Sequence, residues 1–296
     1  MSVRILQFGL SGQLGQELIR QADGEVEIAV LSRADADLAN AAACAARVRE
    51  SDADLVVIAA AYTAVDLAET ERDLAFAVNA ETPAAIAAAC AETGKALVNF
   101  STDYVFDGTK ASAYLPGDPT APLNVYGASK QAGEAAVLAA CDRALILRTS
   151  WVVSAHGKNF VKTMLRLARG GQSPKVVDDQ VGRPTSAADL AGFVLAQAQT
   201  LASAQGGAPV FGLHHFANAG ETSWRGLAQA VFDEALGDET REVAPIATAD
   251  WPTPAARPAR GVLDTTSLEA TFGVSPRPWR AALSDIIGDL AELEQA

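Results

Sequence analysis

The chain has 296 residues, 49% of them hydrophobic and 20% charged, with a formal net charge of −13. Its length allows a sizeable core in one large α/β unit or two unequal domains. The acidic balance argues against nucleic acid or an anionic membrane as partner, because both need a basic face, and it leaves any anionic small molecule to a few local arginines or lysines.

The opening "MSVRILQFGLSGQLG" has too short an apolar run for a signal peptide, and no later stretch offers about 18 uncharged apolar residues. Cys44, Cys90 and Cys141 stand far apart among alanines, with no C-x-x-C pair. They read as buried free thiols, and the expected setting is a reducing cytoplasm. His156, His214 and His215 have no Cys, Asp or Glu at ligand-like spacing, so no residue is assigned to a metal.

In chain order, "VRILQF" predicts a strand followed by a helix from about Gln13, and "VEIAVL" a strand followed by a helix over 41–50. "DLVVIAAA" precedes a helix over 80–92, "KALVNFS" one over 126–140, and "RALILRTS" is a fifth strand. Strand and helix alternating at this spacing predict an α/β fold, a Rossmann-like doubly wound parallel sheet, since parallel neighbours need crossovers that cover both faces. Sites in such sheets lie beyond the carboxyl ends of the strands, where Ser11, Thr63, Thr102 and Ser150 fall.

After about Trp151 the rhythm loosens into a helix "NFVKTMLRLARGG", a short strand "SPKVV", a loop "DDQVGRPT", a helix from Ala187, a strand "FGLHHFA" and a helix "SWRGLAQAVFDEAL". A Pro-rich passage then leads to a last helix with Trp279, Leu283, Ile286 and Leu290 at amphipathic spacing. The expected division is a dinucleotide-binding domain over 1–150 and a smaller α/β substrate domain over 151–296, with a segment near 174–205 returning to the first.

"FGLSGQLGQEL" places Gly9, Gly12 and Gly15 between the first strand and the first helix. Glycines there let the backbone approach a pyrophosphate, with helix N–H groups and the positive dipole end facing the anion. The alternative is a plain tight turn, and the strand before and helix after favour a dinucleotide. NAD users carry an acid at the end of the second strand for the ribose 2′-OH. Here "IAVLSRAD" puts Ser32 and Arg33 in that slot, which favours NADPH, while Asp35 and Asp37 leave NADH open; Asp37 and Leu38 are read beside the adenine.

Tyr126 and Lys130 in "YGASK" are four residues apart and share one helix face. An ammonium beside a phenol favours phenolate and lowers the pKa from about 10, which makes a usable proton donor. Thr102, at the end of the fourth strand, offers a hydroxyl to polarise the same carbonyl. Y-x-x-x-K alone is weak, but here it follows a Ser-Thr strand end in a chain that opens with a glycine loop.

With these residues in place the sequence resembles the extended short-chain dehydrogenase/reductase superfamily and, within it, the dTDP-4-dehydrorhamnose reductase family. "FGLSGQLG", "AAAYTAVDLAE", "NFSTDYVFDG", "PLNVYGASKQAGE", "LRTSWV", "NFVKTMLRLA", "DDQVGRPT" and "PTPAARP" run in family order from residue 8 to residue 258. The resemblance implies reduction of the C4 ketone of dTDP-4-dehydro-β-L-rhamnose by NADPH, with Tyr126 as acid, Lys130 on the nicotinamide ribose and Thr102 as hydroxyl partner. It implies cofactor contacts at Gly12, Gln13, Leu14, Asp37, Leu38, Ala61, Tyr62, Thr63 and Phe100. Sugar-nucleotide contacts are implied at Asp103, Tyr104 and Trp151, with Val65 close by. It also implies a homodimer and a link to magnesium, for which no motif supplies a ligand. Related dehydratases resemble "STDEVYG" where this chain has "STDYVF", so Tyr104 replaces the glutamate that elimination needs. Val153 departs from the aromatic common in relatives.

Trp151 reads as a sugar-stacking ring more than as packing at the domain junction. Arg183 and Arg257 in Pro-containing loops are either bidentate clamps for the substrate pyrophosphate or solvated. Asp66 and Glu69 read as helix-start residues, His156 as a loop residue, and Trp224 and Trp279 as core. Two alternatives stay open: a 4-keto reductase of a sister deoxysugar nucleotide, and a non-catalytic NADP-binding regulatory subunit.

Overall fold

A computed structural model describes residues 2–294 of the chain. The first part runs β1 (Val3–Phe8), α1 (Gln13–Gln21), β2 (Val26–Leu31), α2 (Ala41–Glu50), β3 (Leu55–Ile58), α3 (Val65–Ala68), α4 (Arg72–Phe76), α5 (Thr82–Thr93), β4 (Ala96–Thr102), α6 (Val125–Ala140) and β5 (Ala144–Thr149). The second runs β6 (Val152–Val153), α7 (Phe160–Arg169), β7 (Lys175–Val177), β8 (Val181–Gly182), β9 (Thr185–Ser186), α8 (Ala187–Ser203), β10 (Gly212–His215), β11 (Thr222–Ser223), α9 (Trp224–Leu236), β12 (Ala244–Ile246), α10 (Thr266–Phe272) and α11 (Trp279–Leu293).

Six strands form one sheet in the order β10-β5-β4-β3-β1-β2, and every neighbouring pair is parallel. Successive side chains of a strand point to opposite faces, and both faces here are apolar. Leu55 and Val57 of β3 join one core with Ile5, Leu18 and Leu190, while Val56 and Ile58 join the other with Phe8, Val48 and Ile86. Helices α1, α8 and α10 cover the first face, and α2, α5 and α6 the second. The chain reverses its winding between β1 and β3, so their carboxyl ends open a crevice.

The sheet does not end at β5 as the loosened rhythm suggested. Strand β10 pairs in parallel with β5, and α8 lies on α1, so the sheet takes a sixth strand and a covering helix from the later half. The helix lies within the segment near 174–205 expected to return to the first domain, whereas the strand is hard to place from sequence because "FGLHHFA" stands far from the other strands and its histidines interrupt the apolar run; His214 and His215 are nevertheless buried. The helix expected over 80–92 also starts earlier, as α4 passes through a π-helical turn at Ala77–Glu81 into α5. That continuous run, Arg72–Thr93, is long and apolar enough to cross a membrane, with mean hydropathy 1.4. It carries Asp73, Glu81 and Glu92 and is half-buried, its α5 part packed between α2 and α6.

The remaining residues form a lobe with its own core, built from α7, α9 and α11 through Val161, Leu165, Val231, Phe232, Trp279 and Ile286. Three short ladders, β6 with β9, β7 with β12 and β8 with β11, tie its loops together. The three cysteines are free and buried.

Candidate active site

Strand β1 delivers the glycine loop to the crevice. Gly9 has φ +107°, and a Cβ there would lie 2.7 Å from Ala60 Cβ, so a side chain would collide with the end of β3. Gln7, fully buried on the same strand, braces the loop: its Nε2 donates to the carbonyls of Gly9 at 2.7 Å and Gly15 at 3.1 Å. Helix α1 begins after Gly12 with no side-chain cap and no acid in its first turn, which leaves its N–H groups facing the crevice.

The crevice is a cavity of about 800 Å³ over the ends of β1, β2, β3 and β4. Gly9, Gly12, Gln13 and Leu14 form its floor, Ser32, Arg33, Asp37 and Leu38 one end, and Ala61, Thr63, Phe100, Tyr126 and Lys130 the other walls. The hydroxyls of Ser101 and Thr149 in the same wall are buried with no partner among the described residues. A dinucleotide fits such a site: close backbone, an uncapped helix end and orphaned hydroxyls. The residues that would hold it are those the glycine-loop spacing and the family resemblance indicate, with two exceptions. Tyr62 does not line the cavity; its hydroxyl donates to Glu71 at 2.8 Å. Asp35 is also outside it, because Ser32 N–H and Oγ both donate to its carboxylate and hold that group below the usual carboxylate range.

Asn79, in the π-helical turn, is a residue the sequence reading missed. Its side chain bonds both the N–H and the carbonyl of Tyr62 and donates to Ser129 Oγ of α6 at 3.0 Å, which fixes the Ala61–Thr63 wall against the helix that carries Tyr126. The only sequence signal is a polar residue in an alanine-rich helix.

Helix α6 starts at an Asn124 cap whose side-chain Oδ1 accepts from Gly127 N–H at 2.7 Å, and so Tyr126 sits in the first turn with Lys130 one turn on. Thr102 Oγ1 donates to Asp103 Oδ1 at 3.1 Å and accepts from Tyr104 N–H at 3.2 Å. Burial pushes the Tyr126 phenol up to about 12, with the neighbouring Thr102 hydroxyl acting in the opposite sense. The expectation that Lys130 lowers this phenol is therefore not met. Lys130 is itself desolvated and falls to about 8, with Glu134 acting in the opposite sense. Glu134 in turn is gripped by Arg148 at 2.7 and 2.6 Å in a buried pair.

On the far side of Tyr126 lie the expected sugar-nucleotide residues. Asp103 is buried, its Oδ2 has no partner, and burial raises its carboxyl to about 7. Gly261 abuts it so closely that a Cβ would fall 2.1 Å from Oδ2. Tyr104 meets Tyr126 edge-on at 5.7 Å. Val65 is the first residue of α3.

Several readings of this wall change. Arg257 is not a solvated arginine: it grips Asp66 bidentately at 2.7 and 2.8 Å, and Ala255 N–H donates to the same carboxylate at 3.1 Å. Asp66 therefore acts as more than a helix-start residue. Asn124 Nδ2 reaches Ala256 O at 2.7 Å, so residues 255–257 are strapped across both the cap of α6 and the start of α3. Trp151 stacks on Trp224 at 3.7 Å, so one indole face is already taken, and Trp224 is half-buried against the core of the second lobe instead of deep inside it. Arg183 is half-buried, with Nε lacking a partner, and desolvation lowers its pKa. The magnesium implied by resemblance finds no donor set, since no group of three or more His, Cys, Asp or Glu among the described residues could hold a metal ion.

A doubly wound sheet, a glycine loop at its switch point and a Tyr-Lys pair one helical turn apart beside a strand-end threonine define an extended short-chain dehydrogenase/reductase. A model of the RmlD substrate binding domain family matches residues 3–292. The chain is 42% identical over 295 residues to dTDP-4-dehydrorhamnose reductase of Burkholderia thailandensis, covering 97% of this chain and 99% of that one. It is 43% identical over 290 residues to that of Mycobacterium tuberculosis, covering 96% and 92%. The crystal structure of dTDP-4-dehydrorhamnose reductase from Bacillus anthracis in complex with NADP superposes with a TM-score of 0.91 at 34% identity, over 98% of this chain and 100% of that one. The chain belongs to the dTDP-4-dehydrorhamnose reductase family.

Proposed function

We propose that the protein reduces the C4 ketone of dTDP-4-dehydro-β-L-rhamnose to dTDP-L-rhamnose, the closing step of dTDP-rhamnose synthesis, with NADPH as reductant. The observation that carries this reading is Tyr126 and Lys130, one helical turn apart on α6, lining the same cavity, with Thr102 at the carboxyl end of β4. Bound NADPH supplies hydride to C4. Tyr126 gives its proton to the ketone oxygen, and the Thr102 hydroxyl orients that oxygen. Lys130 stands one turn below to offset the phenolate left behind. Tyr104 in place of a glutamate leaves no carboxylate base to start elimination, which supports simple reduction over dehydration.

Ser32 and Arg33 at one end of the cavity support NADPH over NADH, because neither would repel a 2′-phosphate. The cytoplasm is the compartment in which three free buried thiols stay reduced. A homodimer is the assembly that family resemblance supports, and sedimentation equilibrium tests it. The decisive assay follows NADPH oxidation with freshly prepared dTDP-4-dehydro-β-L-rhamnose and identifies the product by NMR. Turnover to dTDP-L-rhamnose is expected. A product epimeric at C4 would move the assignment to a sister sugar, and cofactor binding without turnover to a regulatory subunit.

A further inference from the structure

The cavity walls hold three cations, Arg33, Lys130 and Lys158, and one carboxylate, Asp37. In a chain of net charge −13 this is a local inversion of sign, suited to an anion. Arg33 pairs with Asp37 just beyond β2, and Lys130 lies beside Tyr126 on α6. Lys158 comes from the other lobe, in the loop between β6 and α7, and takes part in no ion pair with the described residues.

Its place is fixed by its neighbours. Gly157 adopts φ +64°, and a Cβ there would lie 3.2 Å from Gln13 Cγ and 3.9 Å from Gln13 N. The Gln13 amide joins the two lobes: Nε2 donates to Val152 O at 3.2 Å, and Oε1 accepts from Asn159 Nδ2 at 2.9 Å. With both ends of that side chain engaged by the second lobe, the main-chain N–H of Gln13 is the polar group left to meet a ligand. That N–H belongs to the uncapped, acid-free first turn of α1.

We propose that Lys158 is a cofactor-binding residue supplied by the second lobe, its ammonium set over the N-terminus of α1 to neutralise the dinucleotide's pyrophosphate. This rests on the NADP(H) reading above. The helix end and the lysine form two sides of one anion site, and neither Arg33 nor Lys130 competes for it, as each serves a different end of the cavity. The site is thus closed only when both lobes are in place, through the Gln13 bridge.

The test is dissociation constants for NADPH and NADH, read by nicotinamide fluorescence, for the parent, Lys158→Met, Lys158→Arg and Arg33→Ser. Because both dinucleotides share the pyrophosphate, Lys158→Met should weaken them by the same factor, about tenfold for one charge-assisted contact. Lys158→Arg should restore most of that loss, and Arg33→Ser should weaken NADPH alone. Lys158 is exposed, so unfolding of Lys158→Met without cofactor should match the parent. Unchanged binding of both dinucleotides overturns the assignment, and so does a loss confined to NADPH, which would put Lys158 at the 2′-phosphate. If the parent binds neither dinucleotide, the cofactor reading itself fails, a result separate from any behaviour of the variants.

Discussion

The two walls of the site are assembled differently. The wall proposed for the cofactor is mostly made of short local pieces, 8–14, 31–38 without Asp35 and 58–63 without Tyr62, each at the carboxyl end of one strand. The wall proposed for the substrate draws Asp66, Asp103, Trp151, Arg257 and Gly261 from separate segments, which meet through one ion pair, one aromatic stack and one close backbone approach. A parallel sheet brings its strand ends together by topology, so backbone and small residues there need little help from distant partners. A wall made from loops depends on which side chain each loop residue meets.

The largest effect is expected at the seam between the walls. Tyr126→Phe should lower kcat by at least about a hundredfold, the scale of general acid catalysis, with NADPH affinity kept. Near-normal turnover would mean another group gives the proton. A smaller and one-sided effect is expected from Asp66→Asn, which breaks the bidentate grip on Arg257 and loosens the strap across α3 and α6. The KM for the sugar nucleotide should rise about tenfold while that for NADPH stays unchanged. Equal rises in both would erase the distinction between the walls.

The mirror experiment is Gln7→Leu. It removes the amide that braces the Gly9 and Gly15 carbonyls but fills the same volume, so NADPH should bind roughly fivefold more weakly, with the sugar-nucleotide KM unmoved. A change confined to the sugar nucleotide would break the comparison from the other side.

These residues also mark how far the sequence could be read. The glycine spacing, the Ser32-Arg33 slot and the Tyr126-Lys130 pair are local patterns, and each lies in the cavity they suggested. Gln7 could not be singled out, because a polar residue on a central strand carries no label saying that its amide meets two loop carbonyls. The Asp66 and Arg257 pair lies 191 residues apart in the chain, and each residue alone resembles an ordinary surface charge. The stack of Trp151 on Trp224 and the sixth strand are likewise tertiary facts: periodicity shows that a segment is apolar, not which apolar surface it joins. The phenol of Tyr126 teaches the same lesson in electrostatics, since four-residue spacing places the lysine but burial sets the sign of the shift.

The smallest expected effect concerns the cost of the substrate wall to the fold. Asp103 has one oxygen bonded to Thr102 and the other pressed against Gly261 without a donor, and its carboxyl is raised from 3.8 to about 7. Between those values the folded chain keeps a proton that the unfolded chain releases. The contribution to stability is therefore fully present below the unfolded value and is lost as pH rises through the folded one. Asp103→Asn keeps an acceptor for Thr102 and carries no charge at any pH. Its Tm relative to the parent should rise by a few degrees as the buffer goes from about pH 5 to about pH 8, the range over which the parent carboxyl is forced to ionise in a buried place. A gap that stays constant over that range would mean that Asp103 does not titrate there, and that Gly261 and Thr102 hold it in one protonation state. In that case the wall would be strained by packing alone, and Gly261→Ala, not a change of pH, would be the way to reveal it.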